Sequence, residues 1–122
     1  HRNSRYEGGL IMNYDKGLIA GSSGMLVLSL LQEKECYGYE LIKLLKERSS
    51  DAFDFKEGTL YPILHKMENE GWIRSANKAV NGRTRRYYAI TAQGLRQLKA
   101  QQEQWISFSS AVNQVLSFQG NG

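Results

Sequence analysis

The sequence predicts a mainly α fold that carries one small β-hairpin and ends in a long helix. Three observations lead there. Apolar residues recur at helical spacing in three separate stretches before residue 70. Two runs of alternating character then flank an Asn-Gly pair at 81 and 82. The last periodic stretch outreaches the core that 122 residues can build.

Residues 1–11, HRNSRYEGGLI, lack periodicity and precede a methionine. They read as an extension, disordered or foreign to the natural chain, with translation starting at Met12. Residues 16–32 carry Leu18, Ile19, Met25, Leu26, Leu28, Leu30 and Leu31 at helical spacing in their second half. Gly-Ser-Ser-Gly at 21–24 weakens the first half, which predicts a late or irregular start. EKECYG reads as a polar turn. Residues 39–49 then place Leu41, Ile42, Leu44 and Leu45 on one face, with Glu40, Lys43, Lys46 and Glu47 opposite. The turn-forming stretch SSDAFDFKEG connects this helix to the next.

That next stretch, GTLYPILHKMENEGW, holds a proline inside a helical pattern. Leu60, Leu64 and Met67 make one apolar stripe, joined by Ile63. A proline inside a helix normally costs about 3 kcal/mol. The cost vanishes in the first turn, where N–H groups have no intrahelical partner. The expectation is therefore a helix starting near Gly58 or Thr59, capped by Thr59 and ended by Gly71. Its first turn would display Thr59, Tyr61 and Pro62.

WIRSAN (72–77) and RRYYAI (85–90) are strand-like, and the Asn-Gly pair between them is a strong hairpin signal. Thr91 caps the last helix. Its apolar positions Leu95, Leu98, Trp105, Val112 and Leu116 approach a heptad seam interrupted by Gln102 and Ser109. Roughly 25 residues of helix span about 40 Å, so the far half needs a partner, most economically a second copy of itself. Helix, helix, helix, hairpin, long helix is the order of a winged helix-turn-helix, whose third helix enters the DNA major groove. The division expected is residues 12–90 as a DNA-binding domain, 91–118 as a dimerisation helix and 119–122 as a tail.

Charge supports a polyanion partner. The chain carries 16 Lys and Arg against 12 Asp and Glu, and five of the basic residues, with no acidic one, lie between Arg74 and Arg86. A single cysteine, Cys36, excludes an internal disulfide and fits a reducing compartment. Cys36 sits beside Glu35 and Tyr37 with no histidine near it in sequence, and His1 and His65 lack a second ligand at metal spacing. Neither an enzyme nor a metal or cofactor is expected. No apolar run reaches the roughly 18 residues of a membrane span, so the expected location is the cytoplasm.

On the third helix Thr59, Tyr61, Pro62, His65 and Lys66 lie opposite the apolar stripe. Thr59 and His65 can hydrogen-bond base edges or phosphates, Lys66 can neutralise phosphate, and Tyr61 offers a hydroxyl and an apolar ring. Lys78, Arg83, Arg85 and Arg86 flank the hairpin turn. They suit phosphate contact or minor-groove insertion, with Arg83 and Arg85 the foremost, although Arg85 or Arg86 can instead pair with a carboxylate. YGYE starts the second helix, where exposed backbone N–H groups can hold a phosphate, or Tyr37 and Tyr39 simply pack the core. A winged-helix protein-interaction module without operator binding is the rival reading. It predicts no basic wing.

YGYEL (37–41), EGTLYPILHKMENEGWI (57–73) and RRYYAITAQG (85–94) occur here in an order and spacing that resemble the PadR family of bacterial winged-helix transcriptional regulators. With the flanking helices the likeness covers about residues 16–118, and the single long C-terminal helix is similar to the compact subgroup. The resemblance implies a homodimer joined through the C-terminal helices, usually with the N-terminal helix. It also implies a two-fold double-stranded DNA operator, and release by an inducer or another signal. It further implies two roles for Trp105, which stands at a family spacing beyond Thr91 and Gly94. Trp105 either packs the dimer interface or lines, with its counterpart, a pore that stacks a flat aromatic small-molecule inducer.

Overall fold

The computed structural model describes residues 14–118; the expected N-terminal extension with Met12, and the tail at 119–122, lie outside them. The chain runs α1 (Lys16–Glu33), β1 (Cys36–Tyr37), α2 (Gly38–Arg48), α3 (Glu57–Asn69), β2 (Ile73–Val80), β3 (Arg83–Ile90) and α4 (Ala92–Ser117). The sheet is antiparallel in the order β1-β3-β2.

α1 is unbroken through Gly-Ser-Ser-Gly, contrary to the expected late start. Asp15 caps it by accepting from the Gly17 N–H at 2.9 Å. The loss of propensity is outweighed further along, where Val27, Leu28, Leu30 and Leu31 are buried, each worth about 1.5–3 kcal/mol. α2 turns Leu41 and Leu45 into the same core. At its C-terminal end Arg48 pairs with Glu33, one of the two bonds being 2.8 Å, which ties α2 to the end of α1.

α3 begins earlier than the proline rule predicts. The Lys56 carbonyl accepts from both Thr59 and Leu60 at 3.0 Å, so Lys56 is the N-cap and makes no side-chain cap bond. Pro62 consequently lies in the second turn, and Thr59 is helical rather than a cap. Pro62 brings no N–H to the Gly58 carbonyl, but Gly58 is exposed and water can serve that oxygen. Leu60, Leu64 and Met67, exposed by 0, 1 and 2%, more than offset the loss. Gly71 does end the helix: Trp72 N–H donates to the Met67 carbonyl and Gly71 N–H to that of Glu68, both at 3.0 Å, the paired bonds of a Schellman stop.

The hairpin closes as Asn-Gly demands. Asn81 and Gly82 both have positive φ, 52° and 77°, between the paired Val80 and Arg83. Its far strand reaches the helices through Tyr88, only 5% exposed. β1 is an addition to the expected hairpin, pairing Cys36 with Tyr88 and Tyr37 with Tyr87. Thr91 moors α4: its hydroxyl donates to the Gly71 carbonyl at 2.7 Å and accepts from the Gly94 N–H at 3.0 Å. Leu98 then enters the core at 1% exposure. Between Gln102 and Phe118 every residue but Ser109 is exposed.

Candidate nucleic-acid interface

α3 presents Thr59, Tyr61, Pro62, His65 and Lys66 to solvent, all five exposed, because Leu60, Leu64 and Met67 fix the opposite face in the core. Tyr61 is the least free. Its phenol lies across the start of α2, so closely that a Cβ on Gly38 would stand 2.1 Å from the hydroxyl oxygen. A larger residue at Gly38 would have to displace the Tyr61 ring, so the contact sets α2 against α3.

The wing brings its cations to the same side. Arg83, Arg85 and Arg86 share a depression of about 480 Å³ with Tyr37, Tyr39 and Tyr61, at the starts of α2 and α3. Arg85 is half-buried, with its guanidinium 4.2 Å from the centre of the Tyr37 ring, a cation–π contact. Tyr37 meets Tyr87 edge-on at 5.5 Å. Arg86, at the edge of the same depression, turns its guanidinium towards α3, within 3.9 Å of Glu68, itself bonded to the Ser75 hydroxyl at 2.7 Å. Arg86, not Arg85, is therefore the wing arginine paired with a carboxylate. Of the adjacent Tyr87 and Tyr88, Tyr88 packs inward, and burial pushes its phenol above the usual tyrosine range.

Lys78 stands apart from the other wing cations. It is ion-paired with Glu35 and lies 5.6 Å from the centre of the Tyr87 ring. Glu35 is 43 positions away in sequence, so no spacing could have announced this pair. Tyr39 is 59% exposed at the rim of the depression while Tyr37 is half-buried, and neither belongs to the buried core. Glu57, in the first turn of α3, also lines the depression, a position that the helical pattern alone does not reveal.

The remaining reactive groups have other surroundings. Cys36 is fully buried, and burial pushes its thiol up to about 11, far from a nucleophile's range. No helix among the described residues is long and apolar enough to cross a membrane. On α4, Leu98 is consumed by the protomer's own core and cannot serve a seam. Beyond it Trp105, Ile106, Phe108, Val112, Val115 and Leu116 are exposed.

Residues 27–100, from the middle of α1 through the wing to the first turns of α4, match one family model, described as the transcriptional regulator PadR-like family. The chain belongs to that family. It is 30% identical over 97 residues to an uncharacterized protein of Lysinibacillus sphaericus, covering 79% of this chain and 89% of that one. A PadR-like transcriptional regulator from Bacillus cereus superimposes with a TM-score of 0.76 at 32% identity, covering 85% of this chain and 100% of the other. A transcriptional regulator from Clostridium thermocellum gives 0.76 at 31% identity, over 81% and 97% of the two chains. The PadR-like chain is thus a winged-helix transcriptional regulator by family, as are the two solved homologues by description.

Proposed function

We propose that the protein is a homodimeric, cytoplasmic repressor that binds a two-fold DNA operator and is released by a small-molecule inducer. Residues 12–90 form its DNA-binding part and residues 91–118 its dimerisation helix. One α3 enters each major-groove half-site. Thr59 and His65 meet base edges or phosphates, Lys66 neutralises phosphate, and Pro62 keeps the exposed face rigid. The wing follows the phosphate backbone with Arg83 and Arg85. The observation that carries this reading is the depression in which the wing arginines converge on the starts of α2 and α3. The guanidinium groups of Arg83 and Arg85 beside one exposed helix face suit a chain of phosphates.

Two residues carry less of this surface than their sequence positions suggest. Tyr61 is committed to Gly38 and contributes to the DNA surface through its exposed edge rather than by reaching into the groove. Lys78 has Glu35 as counter-ion, so it holds the wing instead of meeting phosphate. Trp105 remains the candidate for an inducer. It is 49% exposed and lines grooves between α1 and α4.

The test is fluorescence anisotropy with the chain's own promoter region against a scrambled duplex, over a range of salt. The expected result is a preference of on the order of a thousandfold or more for one palindromic site, with affinity falling steeply as salt rises. Equal affinity for both duplexes would remove operator recognition from the protein's function.

A further inference from the structure

Among the described residues, Glu57 is the one acidic side chain in the depression that gathers Arg83, Arg85 and Arg86. It is exposed and directly follows the N-cap Lys56, so it holds the first helical position of α3. Among the described residues it has no hydrogen-bond or ion-pair partner, and the arginine that does pair nearby, Arg86, takes Glu68 instead. The helix dipole welcomes a carboxylate in the first turn. Yet this one lies where the proposed complex meets phosphate, and there its charge opposes every duplex alike.

Gly58 supplies a second observation. It is helical, its φ is not positive, and a Cβ built on it would meet nothing within 4 Å. Alanine would suit the helix better, so the protomer itself gives no reason for glycine at this position. A surface from outside that comes close to the start of α3 does give one. Base edges lie at the floor of the major groove, deeper than the phosphates, and a helix reaches them only by such an approach.

We propose that Glu57 is a specificity residue: its carboxylate accepts from the N4 amine of one cytosine in each half-site, and Gly58 lets the start of α3 come that close. The inference rests on the proposed entry of α3 into the major groove. A carboxylate and a phosphate both only accept hydrogen bonds, so Glu57 finds a donor on DNA only at a base. The major groove offers two, the amines of adenine and cytosine. Adenine sets its amine beside the N7 acceptor, which repels a carboxylate, whereas cytosine presents its amine alone. Against any other base the carboxylate is desolvated without a donor, so Glu57 acts chiefly by penalising wrong sequences. Arg83 and Arg85 then supply affinity, and Glu57 supplies discrimination.

The test is fluorescence anisotropy of the full chain with a set of operator duplexes, each changed at one base pair symmetrically in both half-sites. At one G·C position the change should cost the unsubstituted protein about thirtyfold or more in affinity. Glu57→Ala should shrink that cost to within about threefold and leave the other positions as they were. The same variant should bind a scrambled duplex up to about fivefold more tightly, the scale of one exposed charge pair. Gly58→Ala should raise the thermal midpoint by a few degrees. It should nonetheless weaken operator binding by roughly tenfold or more, the scale of a lost base contact. A Glu57→Ala protein that tightens on every duplex alike, with each base preference intact, would make Glu57 a plain repulsive charge and overturn the proposal. So would a Gly58→Ala protein that binds the operator as before, since no close approach would then occur. If the unsubstituted chain itself fails to distinguish operator from scrambled duplex, the DNA-binding reading falls and this inference with it. A preference that survives Glu57→Ala removes the inference alone.

Discussion

The two halves of α4 belong to one continuous helix but lead different lives. The near half is moored by Thr91 to the Gly71 carbonyl and sends Leu98 into the core. The far half presents Trp105, Ile106, Phe108, Val112, Val115 and Leu116 with exposures between 36 and 76%. An isolated helix of this length is marginal in water, so the near half is held by the fold and the far half lacks an equivalent support within it. Burying a side chain of this kind is worth about 1.5–3 kcal/mol. Several on each protomer offset the roughly 4–15 kcal/mol cost of association. The protomer's own fold ends near Gln101, and the apolar stretch of α4 beyond it suits a second copy of the chain.

Truncation after Gln101 separates the halves most sharply. The shortened chain should keep its fold, sediment as a monomer, and lose on the order of a hundredfold or more in operator affinity, the avidity of two linked half-sites. A truncated chain that still sediments as a dimer would move the interface elsewhere. Point substitutions sharpen the same contrast at smaller scale. Leu98→Ala should cost about 2–5 kcal/mol of unfolding free energy by leaving a cavity in the core. Ile106→Ala should leave the protomer within about 0.5 kcal/mol of its starting stability while weakening the dimer. Denaturation at several protein concentrations distinguishes the two effects, because only a dimer-linked loss depends on concentration.

Much of this division is legible in sequence, because local chemistry decides it. Asn81 and Gly82 specify a turn with two positive φ values, Gly71 specifies a helix stop, and Thr91 specifies a start. The length of α4 comes from periodicity alone. The illegible features depend on tertiary context. β1 has two residues and no period to read; it exists because β3 offers an edge. The start of α3 is misplaced from sequence because the rule for proline weighs one lost hydrogen bond, whereas the burial of Leu60, Leu64 and Met67 outweighs it. In the interface, the exposed face of α3 is readable from the opposite apolar stripe. The contact of Tyr61 with Gly38 and the pairing of Lys78 with Glu35 are not.

The wing supplies a third prediction, in which the exposed cationic face is set against the exposed apolar one. Arg83→Ala with Arg85→Ala should flatten the dependence of log affinity on log salt by roughly two to four units in the dimer, at about 0.9 per phosphate contact. The dimer itself should stay intact, since no part of α4 is touched. Arg83 is exposed and Arg85 is half-buried over Tyr37, so the single substitutions need not divide the effect equally. An unchanged slope in the double variant would return both arginines to an ordinary solvated hairpin.

The smallest expected effect falls on Lys78. A surface ion pair is worth about 0–1 kcal/mol, so Lys78→Ala should barely alter stability, and its information lies in the salt slope. If Lys78 stays with Glu35 on the operator, it displaces no counter-ion from DNA, and Lys78→Ala should leave the slope unchanged. Arg83→Ala, measured beside it, should then lower the slope by up to about 1.8 in the dimer. Glu35→Gln runs the comparison in reverse: it removes the competing carboxylate, frees Lys78 for phosphate, and should steepen the slope by up to the same amount. A flattened slope in Lys78→Ala would mean that the lysine trades Glu35 for a phosphate on binding. Lys78 would then rejoin Arg83 and Arg85 as a DNA contact, with Glu35 acting as its placeholder in the free protein.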